Sequence, residues 1–287
     1  MNKRNRQSIF GRIWVWFFGA LVGSGILACQ GQLVFMYGTT VAGGTGASDL
    51  VLINPADGSL VRTIGSVGYA VNGLEWNWAD GKLYGSTSWN DPNFRSGLIE
   101  IDPVTGAGSP IGSGFGVTNT VVCITSDSLG RLFGWIEPNH DDLALIDTST
   151  GLATRVGESG LDTGRLGLAF DGSDNLFLVN YDGSVYSIDP TTGSSTDLNY
   201  DLVTAHHGDF NPSDGYYYGI AESDSNSRTL VVADLTLTSG QVIRTPTSID
   251  NLHAVTFAPV PEPSHAALVV GLLVLGSAML RRRYSRH

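Results

Sequence analysis

The sequence predicts an all-β fold, a β-propeller of five four-stranded blades across residues 33–258, and three observations carry that expectation. One turn recurs with terminal glycines 48, 45, 42 and 47 residues apart. A second motif, an apolar strand, a polar turn and an aromatic strand, recurs between those turns. The two ends of the region spell complementary halves of that second motif, so that pairing them completes a fifth blade.

The recurring turn is Asn54-Pro55-Ala56-Asp57-Gly58, Asp102-Pro103-Val104-Thr105-Gly106, Asp147-Thr148-Ser149-Thr150-Gly151 and Asp189-Pro190-Thr191-Thr192-Gly193, with a degenerate copy at Asp234 to Gly240. Asp or Asn at the first position bonds back to the backbone, proline presets φ, and glycine takes the positive-φ place. Each copy follows a β-prone run: Leu50 to Ile53, Leu98 to Ile101, Leu143 to Ile146, Val185 to Ile188 and Leu230 to Ala233. Each turn therefore joins two antiparallel strands.

The second motif reads Gly73-Leu74-Glu75-Trp76 with Leu83-Tyr84-Gly85, Val121 to Ile124 with Leu132-Phe133-Gly134, Gly167 to Phe170 with Leu176-Phe177, and Gly208-Asp209-Phe210 with Tyr217-Tyr218-Gly219. Four strands in about 45 residues is the signature of a propeller blade. The region opens on Leu33 to Gly38, the second half of this hairpin, and closes on Ala254 to Phe257, the first half. Closing the ring this way removes a sheet edge that could aggregate. The spelling resembles the quinoprotein-like and WD40-like propeller superfamilies in architecture, without the Gly-His and Trp-Asp dipeptides of the latter. A propeller with another blade count, or an open β-sandwich array, is the alternative.

The two flanks have a different character. At the C-terminal end, residues 259–287, Val260-Pro261-Glu262-Pro263 precedes the apolar run 266–280 and then Arg281, Arg282 and Arg283. Fifteen residues at 1.5 Å rise give roughly 22 Å of helix, a thin membrane span. The arginines favour the cytoplasmic face, which places the Pro-Glu-Pro outside as an extended, accessible segment. These residues resemble the PEP-CTERM protein-sorting signal of Gram-negative bacteria. The resemblance implies export, a transient stay in the inner membrane, and processing near Pro-Glu-Pro by an exosortase. An ordinary anchor that is never cut is the plainer reading of the same tail.

The N-terminal end agrees with export through the Sec machinery: Lys3, Arg4, Arg6 and Arg12 precede the uncharged run Ile13 to Ala28, which reads as a signal peptide over residues 1–29. Ile26-Leu27-Ala28-Cys29 resembles a bacterial lipobox, which makes Cys29 a candidate for lipidation. Ordinary signal-peptidase cleavage near Ala28 or Gly31 is the alternative. In either case Cys123 is left without a disulfide partner.

Eight of the sixteen basic residues lie in the two flanks, whereas 26 of the 27 acidic residues lie between Asp49 and Asp250. The body thus carries eight basic against 26 acidic groups, a net charge near −18. Such a surface repels nucleic acid and anionic membrane and keeps an exported protein soluble.

Candidate site residues fall into three sets. His206, His207 and Asp209 offer two imidazoles and a carboxylate, which could hold a transition metal with help from His140 or His253. Adjacent strand residues point to opposite faces, so a bulge would be needed, and a hydrogen-bonded loop pair is the plainer expectation. Asp171 and Asp174 lie in Asp171-Gly172-Ser173-Asp174-Asn175, similar in spelling to a calcium loop but lacking its bidentate Glu, at a place where the repeat calls for a hairpin turn. Trp78, Trp89 and Trp135 lie outside the repeat positions and are the candidates for stacking on sugar rings. The repeat aromatics Trp76, Tyr84, Phe133, Phe170, Phe177, Phe210 and Tyr218 are expected between neighbouring sheets.

No hydrolase elbow, Walker loop, His-Glu-x-x-His or Cys-x-x-Cys occurs. The sequence therefore leans to a non-enzymatic binding or structural propeller at the cell surface, in the outer membrane or in the extracellular matrix. Extracellular polysaccharide in a biofilm setting is its expected partner, and no cofactor other than Ca²⁺ is indicated. The rival is a propeller enzyme of lyase, glycosidase or lactonase type. Carboxylates or histidines converging in the channel favour the enzyme, and exposed tryptophans over a blocked channel favour the binding module.

Overall fold

The computed structural model describes residues 34–259, apart from 41–43, 139–140, 203–204, 223–227, 236–241 and 248. Twenty strands and no helix are found among them. Blade 2 is β4 (Val71–Asn77), β5 (Lys82–Thr87), β6 (Leu98–Ile101) and β7 (Gly108–Ile111). Blade 3 is β8 (Thr120–Ser126), β9 (Leu132–Glu137), β10 (Asp142–Ile146) and β11 (Ala153–Arg155). Blade 4 is β12 (Gly167–Phe170), β13 (Leu176–Val179), β14 (Ser184–Ile188) and β15 (Ser195–Asp201). Blade 5 is β16 (His206–Phe210), β17 (Tyr217–Glu222), β18 (Arg228–Ala233) and β19 (Val242–Pro246). Blade 1 is shared between the two ends of the region: β1 (Val34–Thr40), β2 (Asp49–Ile53) and β3 (Leu60–Ser66) are joined by β20 (Leu252–Pro259) on the inside.

All five sheets are antiparallel meanders of four strands, and the expected closure is present as the pairing of β20 with β1. Its register runs from Val34 opposite Pro259 through Met36 opposite Phe257 to Thr39 opposite Ala254. The chain therefore enters and leaves the ring at one corner. Each innermost strand, β4, β8, β12, β16 and β20, packs against the next around a central channel.

The repeated turns follow their chemistry. The side chains of Asn54, Asp102, Asp147 and Asp189 each accept an N–H two residues on, at 2.7 to 3.1 Å. Gly58, Gly106, Gly151 and Gly193 have φ between 67° and 84°. The glycines have a second role that spacing does not reveal. A Cβ on Gly106 would sit 2.7 Å from the carbonyl oxygen of Gly65, and one on Gly151 2.4 Å from that of Ile111. These turns thus dock on the outer strand of the preceding blade, where Gly108 N–H donates to Val67 O and Ala153 N–H to Phe115 O. The degenerate fifth turn falls largely outside the described residues.

The repeat aromatics fill the blade interfaces. Phe133 meets Phe170, Phe177 meets Phe210, and Tyr218 meets Phe257, with ring centroids 5.1 to 5.6 Å apart. In each pair the second strand of one blade faces the innermost strand of the next, so burial of large rings holds neighbouring sheets together.

A hydrogen-bonded belt runs round the channel one residue before those innermost aromatics. Glu75 accepts Ser126 N–H at 2.8 Å and Thr125 accepts Phe170 N–H at 3.2 Å. Asp209 accepts Phe257 N–H at 3.2 Å and Thr256 accepts Trp76 N–H at 3.0 Å. The equivalent residue of blade 4 is Ala169, which has no acceptor to offer; there Asp209 bonds its own neighbour Phe210 N–H at 2.7 Å. Burial raises both carboxyl pKa values, Asp209 to about 6, and the Asp209 charge raises Glu75 further.

Candidate site at the channel mouth

Three residues before the belt, the innermost strands present Asn72, Val122, Leu166, His206 and His253 at one level. Immediately inside lie Gly73, Cys123, Gly167, His207 and Ala254, which are small except at blades 3 and 5. His207 fits because β16 is bulged between His206 and Asp209 and His207 adopts φ 45°. The bulge turns both imidazoles toward the channel mouth, as adjacent residues of a regular strand could not be. The His207 ring packs against that of His253, centroids 4.2 Å apart and tilted by 39°, and lies 6.3 Å from that of His206.

His207 also ties three blades together. Its N–H donates to Leu166 O, its Nδ1 lies 3.1 Å from Cys123 Sγ, and the Cys123 thiol donates to Leu166 O at 2.9 Å. Burial, with the charges of His253, His206 and Arg165, holds the His207 pKa well below the usual imidazole value. His253 is pushed down to about 3 by burial, then by Arg228, His206 and Arg165. Burial raises the Cys123 thiol well above its ordinary value. Cys123 and His207 are therefore a neutral pair, not a thiolate–imidazolium nucleophile.

These groups open into a pocket of about 490 Å³ lined by Gly44, Asn72, Ser88, Trp89, Asn90, Arg165, His206, His207, Ile220, Leu252 and His253. Trp89 and Asn90 come from the loop between β5 and β6, which is held rigidly. Asp91, itself buried, accepts Ala70 N–H at 2.6 Å and both Asn93 and Phe94 N–H at 2.7 Å. Thr87 Oγ1 donates to Phe94 O at 2.6 Å and accepts Gly97 N–H at 2.9 Å. Trp89 is left 65% exposed at the rim.

The sequence-predicted residues divide accordingly. His206, His207 and Trp89 come together in one pocket, with His253. Asp209 does not join them; its carboxylate is bound into the belt. Among the described residues no group of three or more His, Cys, Asp or Glu is gathered closely enough to hold a metal ion. Asp171 accepts from Ser173 and Asn175 within its own turn, whereas Asp174 accepts Ser128 N–H and Oγ–H from the β8–β9 turn of the neighbouring blade. Trp78 lies in the turn between β4 and β5, 44% exposed and edge-on to Trp76.

The expectation that Trp135 reaches the surface is corrected. Its side chain is fully buried, and its Nε1–H donates to Thr163 Oγ1 at 2.9 Å. Trp135 lies two residues beyond Phe133 on β9, so strand alternation places both on the same buried face. Cys29, Val260, Pro261, Glu262, Pro263, Arg281, Arg282 and Arg283 lie outside the described residues, as do His140, the signal segment 1–29 and the apolar run 266–280.

Arg165 was not singled out in the sequence, although aligning the blades marks it. The residues equivalent to Arg165 are Val71, Val121, Ala205 and Leu252, all apolar, so one arginine stands where the repeat is otherwise hydrophobic.

No protein-family model matches the chain, and no curated protein matches it. Among solved structures it is similar to a chain of a nidogen/laminin complex, with a TM-score of 0.53 and 12% identity over 79% of this chain and 98% of the other. It also matches TolB from Acinetobacter baumannii, with a TM-score of 0.49 and 15% identity over 75% of this chain and 54% of the other. The likeness to the nidogen/laminin chain is one of fold. At such identity it supports the propeller and assigns no ligand.

Proposed function

We propose that the chain is an exported PEP-CTERM protein, sorted and processed by an exosortase, whose ring acts as a non-enzymatic binding module in an exopolysaccharide setting at the cell surface or in the matrix. The observation that carries the sorting is the order of Val260-Pro261-Glu262-Pro263, the apolar run 266–280 and Arg281 to Arg283. The ring is compatible with that processing. Its last strand ends at Pro259, so a cut at the motif leaves the β20–β1 closure whole. The acidic body suits release into an aqueous exterior, and the rim tryptophan over a rigid pocket suits saccharide stacking.

The experiment is intact mass with cell fractionation, comparing wild type with a variant in which Pro261, Glu262 and Pro263 are alanine. Loss of the tail near residue 263 in wild type, with retention in the variant, supports sorting. An uncut tail in both indicates a simple anchor, and a lipid mass at Cys29 indicates a lipoprotein route.

A propeller enzyme is the second reading, favoured by the convergence of His206, His207 and His253 at the channel mouth. Among the described residues that line the pocket there is no carboxylate, so none of them supplies the paired acids of a glycosidase. A lyase using a neutral imidazole as base is the form of the enzyme reading that remains compatible.

A further inference from the structure

We propose that the face of the ring opposite the channel mouth lies against the zwitterionic headgroup layer of the membrane that holds the tail, with Trp78 and Tyr216 in the lipid interface on either side of the point where the chain leaves the ring. This rests on the sorting reading above and adds the surface that meets the membrane. The innermost strands all run in one direction, since Asn72, His206 and His253 near their starts share the mouth pocket and the belt joins residues near their ends. Their ends therefore lie on the far face, with the turns into the second strands and with Pro259, the last residue of β20. Because each blade is an antiparallel meander, the turns between its third and fourth strands lie there too.

Exposed large apolar side chains gather on that face. Among the described residues ten are exposed, and only Trp89 and Tyr181 sit in loops of the mouth face. Trp78, Val104, Leu129, Leu152 and Tyr216 all lie in far-face turns, 43% to 75% exposed. They belong to blades 2, 3 and 5, and β20 places blade 1, with the chain exit, between blades 5 and 2. The turns of blades 2 and 3 touch, since Asn77 Nδ2–H donates to Gly130 O at 2.8 Å, so Trp78 and Leu129 share one surface. The turns of blade 4, Asp171 to Asn175 and Asp189 to Gly193, present no large apolar side chain. The apolar sector is thus the one around the exit.

The tether sets the distance. The ring ends at Pro259 and the apolar run begins at residue 266, and the six residues between them reach about 25 Å when fully extended. Trp and Tyr favour the headgroup level of a bilayer, where the ring is half in lipid and the N–H or O–H stays wet. Asp80, Asp102 and Asp214 stand in the same turns, and their negative charge selects zwitterionic over anionic lipid. A contact of so few side chains holds only while the tail anchors the ring, so it presents Pro261 to Pro263 at the bilayer surface and lets go after cleavage.

The test is tryptophan fluorescence of the full chain reconstituted into phosphatidylcholine vesicles, with and without bromine, a contact quencher, on the acyl carbons nearest the headgroup. Wild type, Trp78→Phe and Trp89→Phe are compared, and flotation first shows whether the protein is anchored. The difference between wild type and Trp78→Phe isolates Trp78, the other tryptophans cancelling, and this component is expected to lose most of its emission on brominated lipid. The Trp89 component is expected to be unchanged, and phosphatidylglycerol in the vesicles should reduce the quenching of Trp78. Phenylalanine keeps an apolar ring at each exposed site, so both variants are expected to fold. An unquenched Trp78 in protein that floats, or equal quenching of Trp78 and Trp89, overturns the docking and leaves the anchor standing. Shielding of Trp78 in lipid-free detergent that grows with protein concentration assigns the face to a second copy and overturns the membrane contact. Protein that does not float overturns the anchor reading, and the docking with it.

Discussion

Thr256 accepts the backbone N–H of Trp76 at 3.0 Å, a bond between residues 180 positions apart in the chain. The same hydroxyl donates to Asp209 Oδ2 at 2.9 Å. One side chain therefore joins blade 5, blade 1 and blade 2 at the point where the ring closes. Thr256 is fully buried at this junction.

Thr256→Val removes the acceptor and the donor while keeping the shape. It leaves the Trp76 N–H without its acceptor, at about 1–3 kcal/mol, and takes one of three donors from Asp209, which keeps the N–H groups of Phe210 and Phe257. The unfolding free energy from urea titration should fall by about that amount. Thr256→Ser, which retains the hydroxyl, should recover most of the loss; equal destabilisation by both would show that the methyl packing, and not the belt, matters at this position.

Two glycines separate backbone strain from docking. Gly81 has φ 71° and nothing within 4 Å of a Cβ, whereas Gly151 has φ 75° and a Cβ would meet Ile111 O at 2.4 Å. Gly81→Ala should cost about 1–2 kcal/mol, the strain of the left-handed conformation. Gly151→Ala should cost clearly more, since the turn must also move away from blade 2. Urea unfolding of the two variants measures the difference. Equal losses would mean the turn glycines serve φ alone.

The ring was legible in the sequence because its determinants are local and periodic. Asp102 to Gly106 and its copies encode a turn by themselves, and Leu33 to Gly38 and Ala254 to Phe257 are visibly two halves of one hairpin. The belt was harder to see, because Glu75, Thr125, Asp209 and Thr256 are different residue types whose shared role is a bond to a strand in the next blade. The pocket was only half visible. His206 and Trp89 stand out as residues, but Arg165 matters by its place among Val71, Val121, Ala205 and Leu252. Trp135 follows directly on the motif Leu132-Phe133-Gly134 and so stands outside the repeat, whereas β9 continues to Glu137 and alternation keeps Trp135 inside.

Cys123 should be inert in the folded protein. Its thiol is buried, bonded to Leu166 O, and raised in pKa first by burial and then by the charge of Glu137. The thiolate is the reactive species, so a disulfide reagent should leave the Cys123 peptide unmodified at neutral pH. Peptide mass mapping should show full modification once urea unfolds the ring. Rapid labelling of the native protein would mean that the blade 3–4–5 junction opens frequently.

Glu137 sets the last expectation, a loss of stability toward alkaline pH. Burial first, against the opposing hydrogen bond of the Thr163 hydroxyl 3.1 Å from Glu137 Oε1, and then the charge of Asp141 bring its pKa from 4.5 up to about 7. The folded protein holds a proton that the unfolded chain releases, so this contribution is fully present below about pH 4.5 and is lost as pH rises through about 7. Asp209, raised to about 6, and Glu75 act with the same sign. His207 and His253 act with the opposite sign, because their lowered values make stability present above pH 6.5 and lost on acidification, for His253 as pH falls through about 3. Between pH 6 and 8 the two contributions oppose each other, since the histidine contribution still grows as the unfolded imidazoles lose their protons near 6.5 while the carboxyl contribution falls. Glu137→Gln, which stays neutral throughout, isolates the carboxyl part: its urea midpoint should gain on that of wild type as pH rises over that interval. An unchanged slope would assign the alkaline loss to the belt carboxyls Glu75 and Asp209 alone.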